Sequence, residues 1–113
     1  ALHRKAGDNV SPVRAAAVAG LRDLVKIGDA KAVAVLHKAA DDEHPHVRVA
    51  AVAGLRELAK DGDVKAVAVL LKAADDEDWR VRFAAVPGLR DLAKNGDAKA
   101  VAVLLKAADD NGV

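Results

Sequence analysis

Neither cysteine nor methionine occurs in this sequence. Without cysteine there is no disulfide framework, no thiolate zinc site and no thiol nucleophile, and redox chemistry fixes no compartment; the cytoplasm is the default reading. Without methionine the chain opens on Ala1, so it reads as a processed product or an excised piece rather than from a native start. Aromatic side chains are limited to Trp79 and Phe83, and the one hydroxyl nucleophile is Ser11, with no organised base beside it. Neither sign of charge dominates, with 18 basic against 17 acidic residues. That balance removes the broad electrostatic case for nucleic acid or an anionic membrane as partner. No apolar run approaches the ~18–20 residues that cross a bilayer, and no signal peptide is visible.

What is present is one stretch returned three times: residues 13–22, 47–56 and 81–90, each opening Val-Arg and closing Gly-Leu-Arg. Val13, Val47 and Val81 lie 34 residues apart, as do Gly20, Gly54 and Gly88. A fixed period of this size marks a stacked repeat array. The units run 10–43, 44–77 and 78–111, and residues 1–9 match 35–43 at the same offset, so the single domain spanning 1–113 opens inside the end of a further repeat. The second and third units agree at 25 of 34 positions, which means recent duplication or deliberate construction.

Each unit predicts two helices. The first, over about 11–26, 45–60 and 79–94, carries Pro12 or Pro45 in its first turn, where a missing N–H costs little, and Asp78 as an N-cap. Gly28, Gly62 and Gly96 end these helices in the left-handed conformation. Asp29, Asp63 and Asp97 then cap the second, over about 29–41, 63–75 and 97–109. So short a turn makes the two helices antiparallel neighbours. On the first helix Val13, Ala16, Ala17, Gly20, Leu21 and Leu24 share a face expected to pack on the unit's own second helix, through Val33, Leu36 and Ala40. Val18 and Val35 lie off these faces and are expected to seal one unit against the next.

The run Asp-x-x-x-x-Val-Arg-x-Ala-Ala-Val-x-Gly-Leu followed by Gly-Asp-x-x-Ala-Val-x-x-Leu resembles a HEAT repeat, close to the short HEAT-like repeats of bilin-lyase-type proteins. The Trp-Leu-Gly-Tyr pattern of tetratricopeptide units and the Thr-Pro-Leu-His of ankyrin units are both missing. The resemblance implies an all-α, right-handed α-solenoid of antiparallel helix pairs, with the Val-Arg helices on its concave side. It also implies an Asp–Arg ladder, whose matching pairs are Asp8/Arg14, Asp42/Arg48 and Asp76/Arg82. Such a ladder sets register between units more than it adds net stability.

Eleven of the 34 aligned positions differ in at least one unit, and many fall at the start and outward side of the first helix. Trp79, Phe83 and Pro87 follow one another at i, i+4 and i+8, continued by Arg90. This stripe lies about 180° from the packed face. With Arg80, and with Val49, Arg56 and His46 of the middle unit, it forms the candidate partner-binding surface: aromatic and Arg residues are what interface hot spots favour. Pro87 is expected to bend its helix. His44 and His46 flank Pro45 but do not supply the three or four converging ligands a metal needs. The acidic residues recur as caps and ladder partners, and no glycine loop cradles phosphate. HEAT-like DNA glycosylases place Trp, Asp and Arg on a concave face, of which Trp79, Arg80 and Arg90 are a faint echo without a basic surplus.

The reading is a non-catalytic, cofactor-free scaffold for a protein or peptide. The alternatives are a structural spacer with no site of its own and a fragment of a HEAT-like lyase or glycosylase. Terminal repeats normally carry polar caps, yet residues 101–105, Val-Ala-Val-Leu-Leu, repeat the middle unit unchanged. Exposed apolar ends and end-to-end self-association are therefore expected.

Overall fold

The computed structural model describes residues 2–109, with side chains placed for residues 11–109. All regular structure among the described residues is α-helical: α1 Leu2–Gly20, α2 Arg22–Lys26, α3 Ala30–Ala39, α4 Pro45–Lys60, α5 Val64–Ala73, α6 Trp79–Lys94 and α7 Ala98–Ala108. The molecule is a thin slab, 49 × 37 × 15 Å, the shape that a single layer of paired helices produces. No described helix is long and apolar enough to cross a membrane.

The turn inside each unit is built the same way three times. In the middle unit the Gly62 N–H donates to the Ala59 carbonyl at 3.0 Å and the Asp63 N–H to the Leu58 carbonyl at 2.9 Å. This double closure needs a left-handed residue at its centre, and Gly62 supplies φ +93°. Asp63 then accepts from the Ala66 N–H at 2.9 Å and opens α5. One residue thus closes one helix and caps the next. Gly28–Asp29 and Gly96–Asp97 do likewise.

The first unit departs from expectation. Residues 2–9 do not end in a turn before the Val-Arg helix; α1 runs unbroken from Leu2 to Gly20, and Pro12 lies inside it rather than in a first turn. The expected helix over 11–26 is divided at Leu21, whose N–H is shared between the Ala17 and Val18 carbonyls, both at 3.1 Å. In α4 and α6 the equivalent Gly54 and Gly88 are buried and the helices continue through them. Gly20 has no such support: among the described residues nothing lies within 4 Å of where its Cβ would stand.

The packing explains this difference. A Cβ on Gly54 would meet the Leu36 side chain of the preceding unit, and one on Gly88 would meet Leu70. The face beginning at Val13 is therefore a seat for the previous unit's second helix, not for the unit's own partner as expected. Val47, Ala51, Leu55, Val81, Ala85 and Leu89 are accordingly buried. In the first unit Val13 is 66% exposed, and Ala16, Ala17, Gly20 and Leu24 are exposed with it, because among the described residues nothing occupies that seat. Leu36 and Leu70 are fully buried; each contributes about 1.5–3 kcal/mol by leaving water. Val18 is buried, whereas Val35 stays exposed. The structure also buries Val25, which the helical wheel did not single out.

Candidate functional site

The side-chain bridges lie within units: each bridging Arg of a first helix grips the Asp of the linker that ends its own unit and not, as expected, the Asp that ends the unit before. Arg14 grips Asp42 with two bonds, Nε to Oδ2 at 2.9 Å and Nη2 to Oδ1 at 3.0 Å. Arg48 grips Asp76 with the same pair of distances. The expected side-chain pairs Asp42/Arg48 and Asp76/Arg82 are thus corrected. Arg48 and Arg82 reach the linker before their helix only through the backbone, Arg48 Nη1 donating to the Asp42 carbonyl at 2.8 Å and Arg82 Nη1 to the Asp76 carbonyl at 2.6 Å. The Arg48 guanidinium spans both, because its fork meets the forward carboxylate with one edge and leaves Nη1 for the carbonyl behind. Asp8 lies outside the residues whose side chains are described.

Each Asp is a node. Asp42 also accepts from the His44 N–H, and Asp76 from the Asp78 N–H, both at 2.9 Å, which fixes the linker before the next helix. The Arg14 bond, helped by that N–H, holds the Asp42 carboxyl below its usual range against the opposing effect of burial. Burial pulls Asp76 upward, but its bonds from Arg48 and the Asp78 N–H more than offset this, and it too is lowered.

Two side-chain contacts between first helices of successive units went unforeseen, beside the outward Lys72–Asp41 pair. Arg56 binds Asp91 at 2.7 and 3.2 Å, and the bond holds the Asp91 carboxyl low. Ser11 Oγ lies 2.9 Å from His46 Nε2, which satisfies the one buried Ser. Both contacts join residues 35 apart. The signal available in the sequence was that spacing, one residue beyond the period, on faces that meet across a joint.

These contacts sort the candidate surface. His46 is held by Ser11, Arg56 by Asp91, and Arg80 by Asp78, whose carboxyl its side chain and backbone N–H pull down to about 2. Val49 packs partly against the core. Trp79 at 60% and Phe83 at 71% stand exposed on α6, with Val86 and Arg90 exposed along the same stripe and Pro87 half-buried beside it. The corresponding positions in the earlier units are not free of packing, contrary to expectation: Ser11 is buried, and Ala15, Pro45 and Val49 are half-buried. The stripe is the rim of the joint, covered where a following unit lies over it and bare on α6.

Among the described residues no group of three or more His, Asp or Glu side chains is arranged to hold a metal ion. The groove between α3 and α5 is lined by Asp41, Asp42, Glu43, Asp76 and Glu77, with Arg48 and Lys72 among them. Its two deepest carboxylates are already committed to arginines.

With this geometry in view, the comparison with known families is decisive. The family model described as HEAT repeats matches residues 53–113. The chain belongs to the HEAT-repeat family. No curated protein and no solved structure matches it. HEAT repeats are commonly protein-interaction scaffolds, and the helix pairs joined by Arg–Asp bridges show how this HEAT chain keeps an exposed ridge on a rigid frame.

Proposed function

We propose that this HEAT chain is a non-catalytic scaffold that binds a protein or peptide along the α6 ridge, its three 34-residue units forming one right-handed array. The observation that carries this reading is the alignment of Trp79, Phe83, Val86 and Arg90 on one exposed edge of a helix whose other side is locked into the core. Two aromatics held by a rigid helix offer a large contact area while little entropy remains to be lost on docking. Pro87 sets the backbone beneath them. Six carboxylates, those of Asp42, Asp76 and Asp91 and of the caps Asp29, Asp63 and Asp97, are bound to arginines or backbone N–H groups.

A second reading, a spacer with no site, has one observation in its favour: in the earlier units the same edge is covered by the neighbouring unit. Selecting displayed peptides on the intact chain, with a Trp79→Ala/Phe83→Ala variant as the counter-selection, separates the two. A binding ridge yields peptides that the variant no longer holds while its melting temperature stays within a few degrees of the parent. A spacer yields no discriminating peptide, or the variant melts early because the aromatics were structural.

A further inference from the structure

The joint between units is made twice in this molecule, and among the described residues each half of it also occurs once uncovered. One half is the seat: Val13, Ala17, Gly20, Leu21 and Leu24, with the same five residue types one and two periods later. The later copies receive Leu36 at Gly54 and Leu70 at Gly88. The first copy is open, with Val13, Ala17, Gly20 and Leu24 exposed and no atom near the position of a Gly20 Cβ. The other half is the knob: Leu36, Leu70 and Leu104, each followed three residues later by an Ala. Leu36, Leu70, Ala39 and Ala73 are buried, whereas Leu104 is half-exposed, Ala107 is exposed and Leu105 is 67% exposed.

We propose that the open seat on α1 and α2 takes the α7 knob of a second copy of this chain, in a head-to-tail contact that repeats the internal joint. Seat and knob carry the residue types already shown to fit each other, so the occupant is specified by the molecule itself. Charge agrees with this register. The Arg56–Asp91 bridge joins residues 35 apart, and the same step carried across the new joint brings Arg90 of one copy to Asp23 of the next, both exposed. The Ser11–His46 step likewise brings Trp79 to Pro12 of the second copy. At the second joint positions 45 and 49 are half-covered, and at the first Ser11 is buried and Ala15 half-covered, so a second copy covers part of Trp79 and Phe83 at the rim. Such a contact is heterologous: it does not close on itself, and it grows into a stack as concentration rises.

The test is sedimentation velocity of the intact chain from micromolar to millimolar concentration, with Trp79 emission read in parallel. Stacking raises the average mass with concentration and shifts the emission to the blue as Pro12 covers the indole. Gly20→Arg fills the seat and Ala107→Lys charges the knob; both positions are exposed, and each variant stays monomeric and melts no lower than the parent. Val13→Lys serves as a second seat variant should Gly20→Arg fold poorly. An equimolar mixture of a seat variant and the knob variant gives a dimer and nothing larger, because one intact seat then meets one intact knob. A chain that stays monomeric throughout overturns the proposal, as does association that survives both variants or a mixture that fails to dimerise. Purified chain alone is used, so failure of the stack leaves the ridge reading standing.

Discussion

Arg48 and Arg14 occupy the same position one period apart and hold equivalent carboxylates, yet they are not equally deep. The Arg48 side chain is 11% exposed and that of Arg14 35%. Arg48 also ties the Asp42 carbonyl, so removing it orphans a mostly buried carboxylate and a backbone oxygen together. Breaking one side of a buried pair costs about 3–5 kcal/mol, whereas an exposed pair is worth about 0–1 kcal/mol. Arg48→Ala is therefore expected to lower stability by ~3 kcal/mol and Arg14→Ala by ~1 kcal/mol, measured by urea unfolding. Equal losses would show that the bridges act as surface pairs and set no register. The outward Lys72–Asp41 pair, exposed on both sides, contributes little by the same reasoning.

At the scale of the helix, Gly20 and Gly54 separate propensity from packing, since they share a sequence context and differ only in what stands over them. Mid-helix glycine costs about 1 kcal/mol against alanine. Gly20→Ala adds a methyl group to open space and is expected to raise the melting temperature. At Gly54 the methyl meets Leu36, which is fully buried and has little room to turn. Overpacking of that kind costs about 1–3 kcal/mol, so Gly54→Ala is expected to melt below the parent, and calorimetry of both variants checks the ordering. The helices themselves were legible in the sequence. Pro45 and Asp78 mark the starts of α4 and α6, and the Gly-Asp pairs mark both a stop and a start. A wheel shows that Val47 and Leu55 share a buried face, but not which neighbour buries them. That is why the seat reads as the place of the unit's own second helix, and why Arg48 reads as paired with Asp42 of the unit before instead of Asp76 of its own unit. A period of 34 makes the unit before and the unit after indistinguishable until the chain is folded. The α6 ridge was legible as exposed, but its kinship with the half-covered Pro45 and Val49 was not, because coverage depends on the next unit and not on the residue.

For the molecule as a whole, cohesion is a nearest-neighbour matter: α1 packs on α4 and α4 on α6, each joint seats one leucine knob, the second adds the Arg56–Asp91 bridge, and the Arg14–Asp42 and Arg48–Asp76 bridges hold the linkers through which one unit passes to the next. In such an array stability is close to a sum of unit and joint contributions, so a condition that weakens the joints acts at each of them at once. Acid is that condition. Asp42, Asp76 and Asp91 are each held below the ordinary carboxylate value in the folded chain. A folded pKa below the unfolded one means that the unfolded chain binds protons first. Stability from these groups is therefore complete above about pH 4, the unfolded carboxylate value, and is lost as pH falls through the lower folded values. The melting temperature is expected to be insensitive to these carboxylates between neutrality and pH 5 and to drop steeply below pH 4. In Asp42→Asn/Asp76→Asn, thermal melts followed by circular dichroism start lower at neutral pH and fall less steeply in acid, since two of the titrating bridges are gone. Identical acid profiles for the variant and the parent would place the pH dependence outside the joints and remove the bridges from the account of what holds the units in line.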